Sequence, residues 1–237
     1  MSNINIRNYN DFISELLKAG FSGAVGGKDD GVFALFRYGW GAEEETGIQW
    51  FTGNPDTDPW EWRVRAYEER DDIAYSKIFF KKAGYITKEW YPYFYAVRRG
   101  DRTFEDEYYD GLISNFAKRI YDVVDENGSL SVENIKRIAG IKREDKSKFE
   151  RALTELQMKM FLTISDITRK MSWDGREYGW IMTSFDIPER FFGSDIIKQA
   201  DDLDYDEAID RITEQILILN PNANLTKAHE FITGNKV

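Results

Sequence analysis

Apolar positions recur with a helical period over most of the chain and with a strand period in a few short stretches. NYNDFISELLKAGF turns Phe12, Leu16 and Leu17 to one side and ends at Gly20, which predicts an opening amphipathic helix. GVFALFRYGW and GIQWF read as strands separated by the acidic loop GAEEETG. Asp58 before Pro59 marks a helix start, because a carboxylate can accept from free amides and proline fits the first turn. DDIAYSKIFFKKAGYITKEW predicts a strand pair turning about Ala83-Gly84, and YPYFYAVRRG predicts a helix.

The middle of the chain has a cleaner pattern. In GLISNFAKRIYDVVDENG, the set Leu112, Ile113, Phe116, Ile120, Val123 and Val124 follows helical spacing, and Asn127-Gly128 supplies a left-handed stop. In SLSVENIKRIAG, Ser131 can cap a short helix with Val132, Ile135 and Ile138 inward. After the turn IKRED comes KSKFERALTELQMKM, with Phe149, Leu153, Leu156 and Met160 forming an inward stripe. Then MFLTISDITRKMS and YGWIMTSFDI flank WDGREYGW, where Asp174-Gly175 is a hairpin signal, since glycine accepts the positive φ of a tight turn. Helix, short helix, turn, longer helix and hairpin make the order of a winged helix-turn-helix. Leu130 is placed for the short strand that pairs with the wing.

The expected fold class is therefore α+β. It comprises an aromatic-rich α/β part over residues 1–105, a winged helix-turn-helix over 106–190, and an acidic helical segment over 191–237. In the last, Ala208, Ile209, Ile212, Ile216 and Leu219 form a helical stripe, and a short final helix is expected from Thr226.

Charge sharpens this division. The net charge is −10, which argues against indiscriminate nucleic-acid binding. It is unevenly spread: residues 1–110 carry −6, residues 111–190 carry +1 and residues 191–237 carry −5. On the third helix of the middle segment Lys146, Lys148, Arg151 and Lys159 point outward by spacing, with Lys142 and Arg143 in the turn before it. Arg169 and Lys170 enter the wing, and Arg176 lies at its tip. These cations suit phosphate oxygens, so DNA is the expected partner. Interleaved acids such as Glu144, Asp145, Glu150 and Glu177 also suit a merely solvated surface, or a winged helix that binds protein.

Other chemistries find little support. The chain has no cysteine and one histidine, His229, so thiol catalysis is excluded and a zinc site is not expected. GAVGGKDDG lacks the spacing of a phosphate loop. No metal or organic cofactor is implied. Without an apolar run of about 18 residues or an export signal, a cytoplasmic protein without membrane contact is expected. Aromatics crowd the first hundred residues. They read either as core or as stacking faces of a ligand pocket, with Trp60, Trp62, Trp90 and Tyr93 beside the carboxylates Glu61 and Glu89. The second reading would make the protein a carboxylate-based hydrolase.

GNPDTDPWEWR, KIFFKKAGYITKEWYPYF, FERALTELQMKMFLTISD and YGWIMTSFDIPERF together resemble the uncharacterised bacterial proteins called AlkZ-related. Those are named for likeness to winged-helix DNA glycosylases. The resemblance to the related set spans nearly the whole chain, whereas likeness to the glycosylases concerns the winged-helix segment. It implies the fold and a DNA-binding tendency. The glycosylases hold their attacking water with a Gln-Φ-Gln or Gln-Φ-Asp motif near the N-terminus, where Φ is apolar. Among Gln49, Gln157, Gln199 and Gln215, only Gln199-Ala200-Asp201 has the right end residues, and it lies in the acidic C-terminal segment. The activity is not implied with the fold.

Overall fold

A computed structural model of the chain describes residues 6–23, 31–35, 47–175 and 177–234. The fold is mixed α+β, with two small antiparallel sheets, clustered aromatic side chains and a helical C-terminal region.

Helix α1 (Tyr9–Ala19) begins where the Asn8 side chain accepts from the Asp11 amide at 3.0 Å, and it buries Phe12 and Leu16 completely. Strand β1 (Phe21–Ser22) follows. The two strands expected next are not formed in their described parts. Residues 31–35 and 47–51 run as irregular chain, although Val32, Phe33, Leu35 and Ile48 are buried. Their backbone is satisfied individually, for example by Gly23 donating to the Phe33 carbonyl at 3.1 Å. A short apolar run signals burial without fixing its secondary structure. The acidic loop GAEEETG falls almost wholly outside the described residues.

Asp58 does start α2 (Pro59–Glu69): its carboxylate accepts from the Trp60 amide at 2.9 Å and the Gly53 amide at 3.0 Å. Strands β2 (Ile73–Phe79) and β3 (Lys82–Thr87) then pair, with β1 on the far edge of β3. Their turn is Phe80-Lys81, not Ala83-Gly84. Both turn residues adopt positive φ, 52° and 62°. Gly84 serves a different need, since a Cβ there would come to 2.6 Å from both the Phe79 ring and the Ser22 carbonyl.

Helices α3 (Tyr91–Arg99), α4 (Phe104–Tyr109) and α5 (Asn115–Asn127) lead into the middle segment. α5 starts later than its apolar pattern: Ser114 caps it, Ile113 is buried ahead of it, and Leu112 is exposed. β4 (Leu130–Ser131) precedes α6 (Val132–Ile138), which Ser131 caps by accepting from the Asn134 amide at 3.3 Å. Ile135 of α6 is buried, but Ile138 is exposed rather than inward. A 3-10 turn at Arg143–Asp145 opens α7 (Lys146–Met158), whose Phe149, Leu153 and Leu156 are buried. Met160 lies beyond the helix end at φ 57° and is buried too. Strands β5 (Thr163–Met171) and β6 (Glu177–Asp186) form the second hairpin, and β4 pairs with β6, so the sheet order is β4-β6-β5.

α8 (Pro188–Phe191), α9 (Ser194–Asp201), α10 (Tyr205–Leu219) and α11 (Leu225–Thr233) complete the described chain. The last three pack on α3. A single core runs through all three segments and is rich in ring contacts, including Phe79 stacked on Phe231 at 3.7 Å and Phe12 on Trp62 at 5.4 Å. Arg98 of α3 knits the segments together. It is buried and donates to the carbonyls of Ile78, Met158, Phe231 and Ile232 at 2.6–2.8 Å. Burial weakens its hold on its proton, yet so strong a base keeps its charge at neutral pH. The carbonyls at the C-terminal ends of α7 and α11 carry negative partial charge and offset the lost hydration.

Candidate nucleic-acid interface

On the first two turns of α7, Lys146, Lys148 and Arg151 are exposed. Lys146 lies 3.8 Å from Glu150 and Lys148 lies 3.2 Å from Asp145. Exposed pairs of this kind are worth less than about 1 kcal/mol and yield to a competing anion. Arg151, and Arg137, Lys142 and Arg143 just before the helix, are exposed and make no ion pair among the described residues.

The second half of α7 is different. Lys77 donates its backbone amide to the Gln157 side chain at 3.0 Å, and the Lys81 amide meets the Met158 sulfur at 3.4 Å. The first sheet thus covers this end of the helix. Lys159, expected on the outward face, instead bonds the buried Glu107 of α4 at 2.5 Å. Glu155 stands beside that pair. Burial raises its pKa, Lys159 opposes the rise, and Glu107 adds to it.

Arg169 and Lys170 fall on β5, and Arg176 lies outside the described residues. At the hairpin tip Gly175 has φ 79°, its amide donates to the Ser172 carbonyl at 3.0 Å, and Trp173 is 100% exposed.

The aromatic candidates are spread through the core and its margin. Trp62 is buried, donating through Nε1 to the Asp56 carbonyl at 3.1 Å. Trp90 is buried against Phe21, and the half-buried Tyr93 lies 5.5 Å from it. Trp60 is partly exposed beside Phe51, with the Arg63 guanidinium 3.6 Å above its ring. Glu61 is half-buried on α2, and Glu89 is exposed ahead of α3. The structure contains a cleft between the two sheets, but neither carboxylate lines it.

Sequence reading missed Arg98, the buried Gln157, and a cluster in which the Tyr95 hydroxyl donates to Glu189 at 2.6 Å while Arg99 approaches the same oxygen at 3.5 Å. Burial pushes the Tyr95 hydroxyl well above its ordinary pKa, against the pull of Arg99. The signal for these residues lies in long-range pairing, which no local pattern carries. Among the described residues no group of acids and histidine could hold a metal ion, and no helix is long and apolar enough to cross a membrane. His229 is exposed on α11.

No curated protein and no solved structure matches the chain. Residues 6–233 match the protein family described as AlkZ related, and the chain belongs to that family.

Proposed function

We propose that residues 106–190 form a winged helix-turn-helix that binds duplex DNA through its phosphate backbone. The observation that carries the reading is the sheet order β4-β6-β5 following α5, β4, α6 and α7, with exposed cations gathered at the start of α7. A third helix in this position presents its first turns to a major groove, while the hairpin flanks it. Lys146, Lys148 and Arg151 make the phosphate contacts, joined by Lys142 and Arg143 and, from the hairpin, Arg169, Lys170 and Arg176. Lys159 is held by Glu107 and takes no part. Base excision is not proposed. Gln199 and Asp201 are exposed on an acidic helix, and the Ala200 between them is buried.

Fluorescence anisotropy with duplex DNA, titrated with salt, tests this. Four to six phosphate contacts give a slope of log K against log salt of roughly −4 to −5. Arg151→Glu reduces the slope by about 1 or more and weakens binding to all sequences alike. Absence of binding at low salt would overturn the proposal and leave the segment as a protein-binding module.

A further inference from the structure

We propose that the cleft between the two sheets is a binding site for a small organic anion with a planar, apolar body. The cleft holds about 310 Å³, within the range of small-molecule sites. One wall comes from α2 and the first sheet, through Arg63, Tyr75 and Lys77, and the other from α6 and α7, through Lys136, Phe149 and Leu153. Three cations from three elements therefore converge on one space. None of them makes an ion pair among the described residues, in a chain with 42 acidic and 32 basic side chains. Cations without an ion pair among the described residues also occur elsewhere on the surface, as on α7, so it is the convergence of three of them on one partly apolar cleft that points to a ligand. Among the described lining residues the only acid is Glu150, which lies 3.8 Å from Lys146.

Two of the cations, Lys136 and Arg63, are also held in place. The Lys136 ammonium lies 4.7 Å above the Phe149 ring. The Arg63 guanidinium covers Trp60 and donates through Nε to the Trp60 carbonyl at 2.9 Å. Gln157 is fixed at both ends of its amide, accepting from the Lys77 amide and donating to the Leu153 carbonyl at 2.9 Å. Low-dielectric walls beneath unpaired cations focus the field on the opening, and an anion entering there meets charge above and rings below. A bare inorganic anion would leave the apolar wall unused. A neutral ring would leave the cations unused.

Two probes sharing one ring system separate these contributions: anilinonaphthalenesulfonate, an aromatic anion, and N-phenylnaphthylamine, its counterpart without the sulfonate. Fluorescence titration of the full chain should show one saturable site for the sulfonate and affinity about tenfold weaker or less for the neutral probe. Lys77→Gln and Lys136→Gln should each weaken the sulfonate about threefold to tenfold, and leave the neutral probe unchanged. Lys77 is exposed, so its variant reports even where Lys136→Gln disturbs folding. Equal affinity for the two probes, an unchanged sulfonate titration in Lys77→Gln, or no saturable site would overturn the proposal. So would displacement of the sulfonate by equimolar inorganic phosphate. This site stands apart from the DNA-binding proposal, and each can fail without the other.

Discussion

The two sheets have the same connectivity and opposite surroundings. Each joins a two-residue strand to a hairpin, with the short strand on the hairpin's second strand: β1-β3-β2 and β4-β6-β5. A helix precedes each short strand, α1 and α5, and another leads directly into each hairpin, α2 and α7. Yet every residue of β2 except Lys77 is buried, and so is β3 from Gly84 onward. In β6, Ile181 to Ser184 are only half-buried, and the hairpin ends in a fully exposed Trp173. Helices α1 and α3 and the Phe231 ring of α11 close over the first sheet, whereas the second is met by α5 and α6 at β4 and β6 and by α2 and α8 along β5. Their sequences follow: IAYSKIF is nearly continuous in its burial, while TISDITRKM spaces polar residues between apolar ones. One connectivity makes a core when enclosed and a half-buried surface when left more open.

The largest break in this arrangement is expected at the joint between the regions. Arg98→Met removes the donors for four carbonyls, and each buried group left unpaired costs about 1–3 kcal/mol. Thermal unfolding should fall by roughly 10 °C, the shift about 3 kcal/mol gives at this chain length. A drop within a degree or two would mean that the regions do not depend on this residue. Next come the two hairpin glycines. Gly84→Ala drives a methyl against the Phe79 ring and the Ser22 carbonyl and should cost about 2–3 kcal/mol. Gly175→Ala meets no atom within 4 Å and carries only the strain of φ +79°, about 1 kcal/mol. Chemical denaturation of both variants checks the order, and a reversed order would undo the contrast between an enclosed and an open sheet. The smallest effect concerns pH. Glu155 has a raised pKa in the folded chain, so its contribution is fully present below the unfolded value of 4.5 and is lost as pH rises through the folded one. Glu155→Gln should therefore flatten the decline of stability with rising pH just above 4.5, in urea titrations at stepped pH. An unchanged slope would show that the carboxylate is hydrated in the native state.

What was legible in the sequence was local. The caps at Asp58 and Ser131 work within three residues, so the side chains that make them stand beside the helices they start. The inward stripe of α7 is readable for the same reason. The Phe80-Lys81 turn was not, because two non-glycine residues at positive φ give no local sign. Their support is tertiary: the Phe80 ring packs on Phe231 and the Lys81 amide reaches Met158. Lys159 shares a helical face with outward residues, but its partner Glu107 is 52 positions away. Arg98 looks like any cation near a helix end, and its carbonyl partners lie 20 to 134 positions distant.

The Arg98 joint also bears on how such a chain can change over generations. Its four partners supply only carbonyl oxygens, which every amino acid carries. Ile78, Met158, Phe231 and Ile232 are thus free, as far as this joint is concerned, to be exchanged without loosening it. All of the heritable demand falls on one arginine. Descendants that hold the same three segments together could differ at each of the other four positions, and their common architecture would be recorded in a single letter.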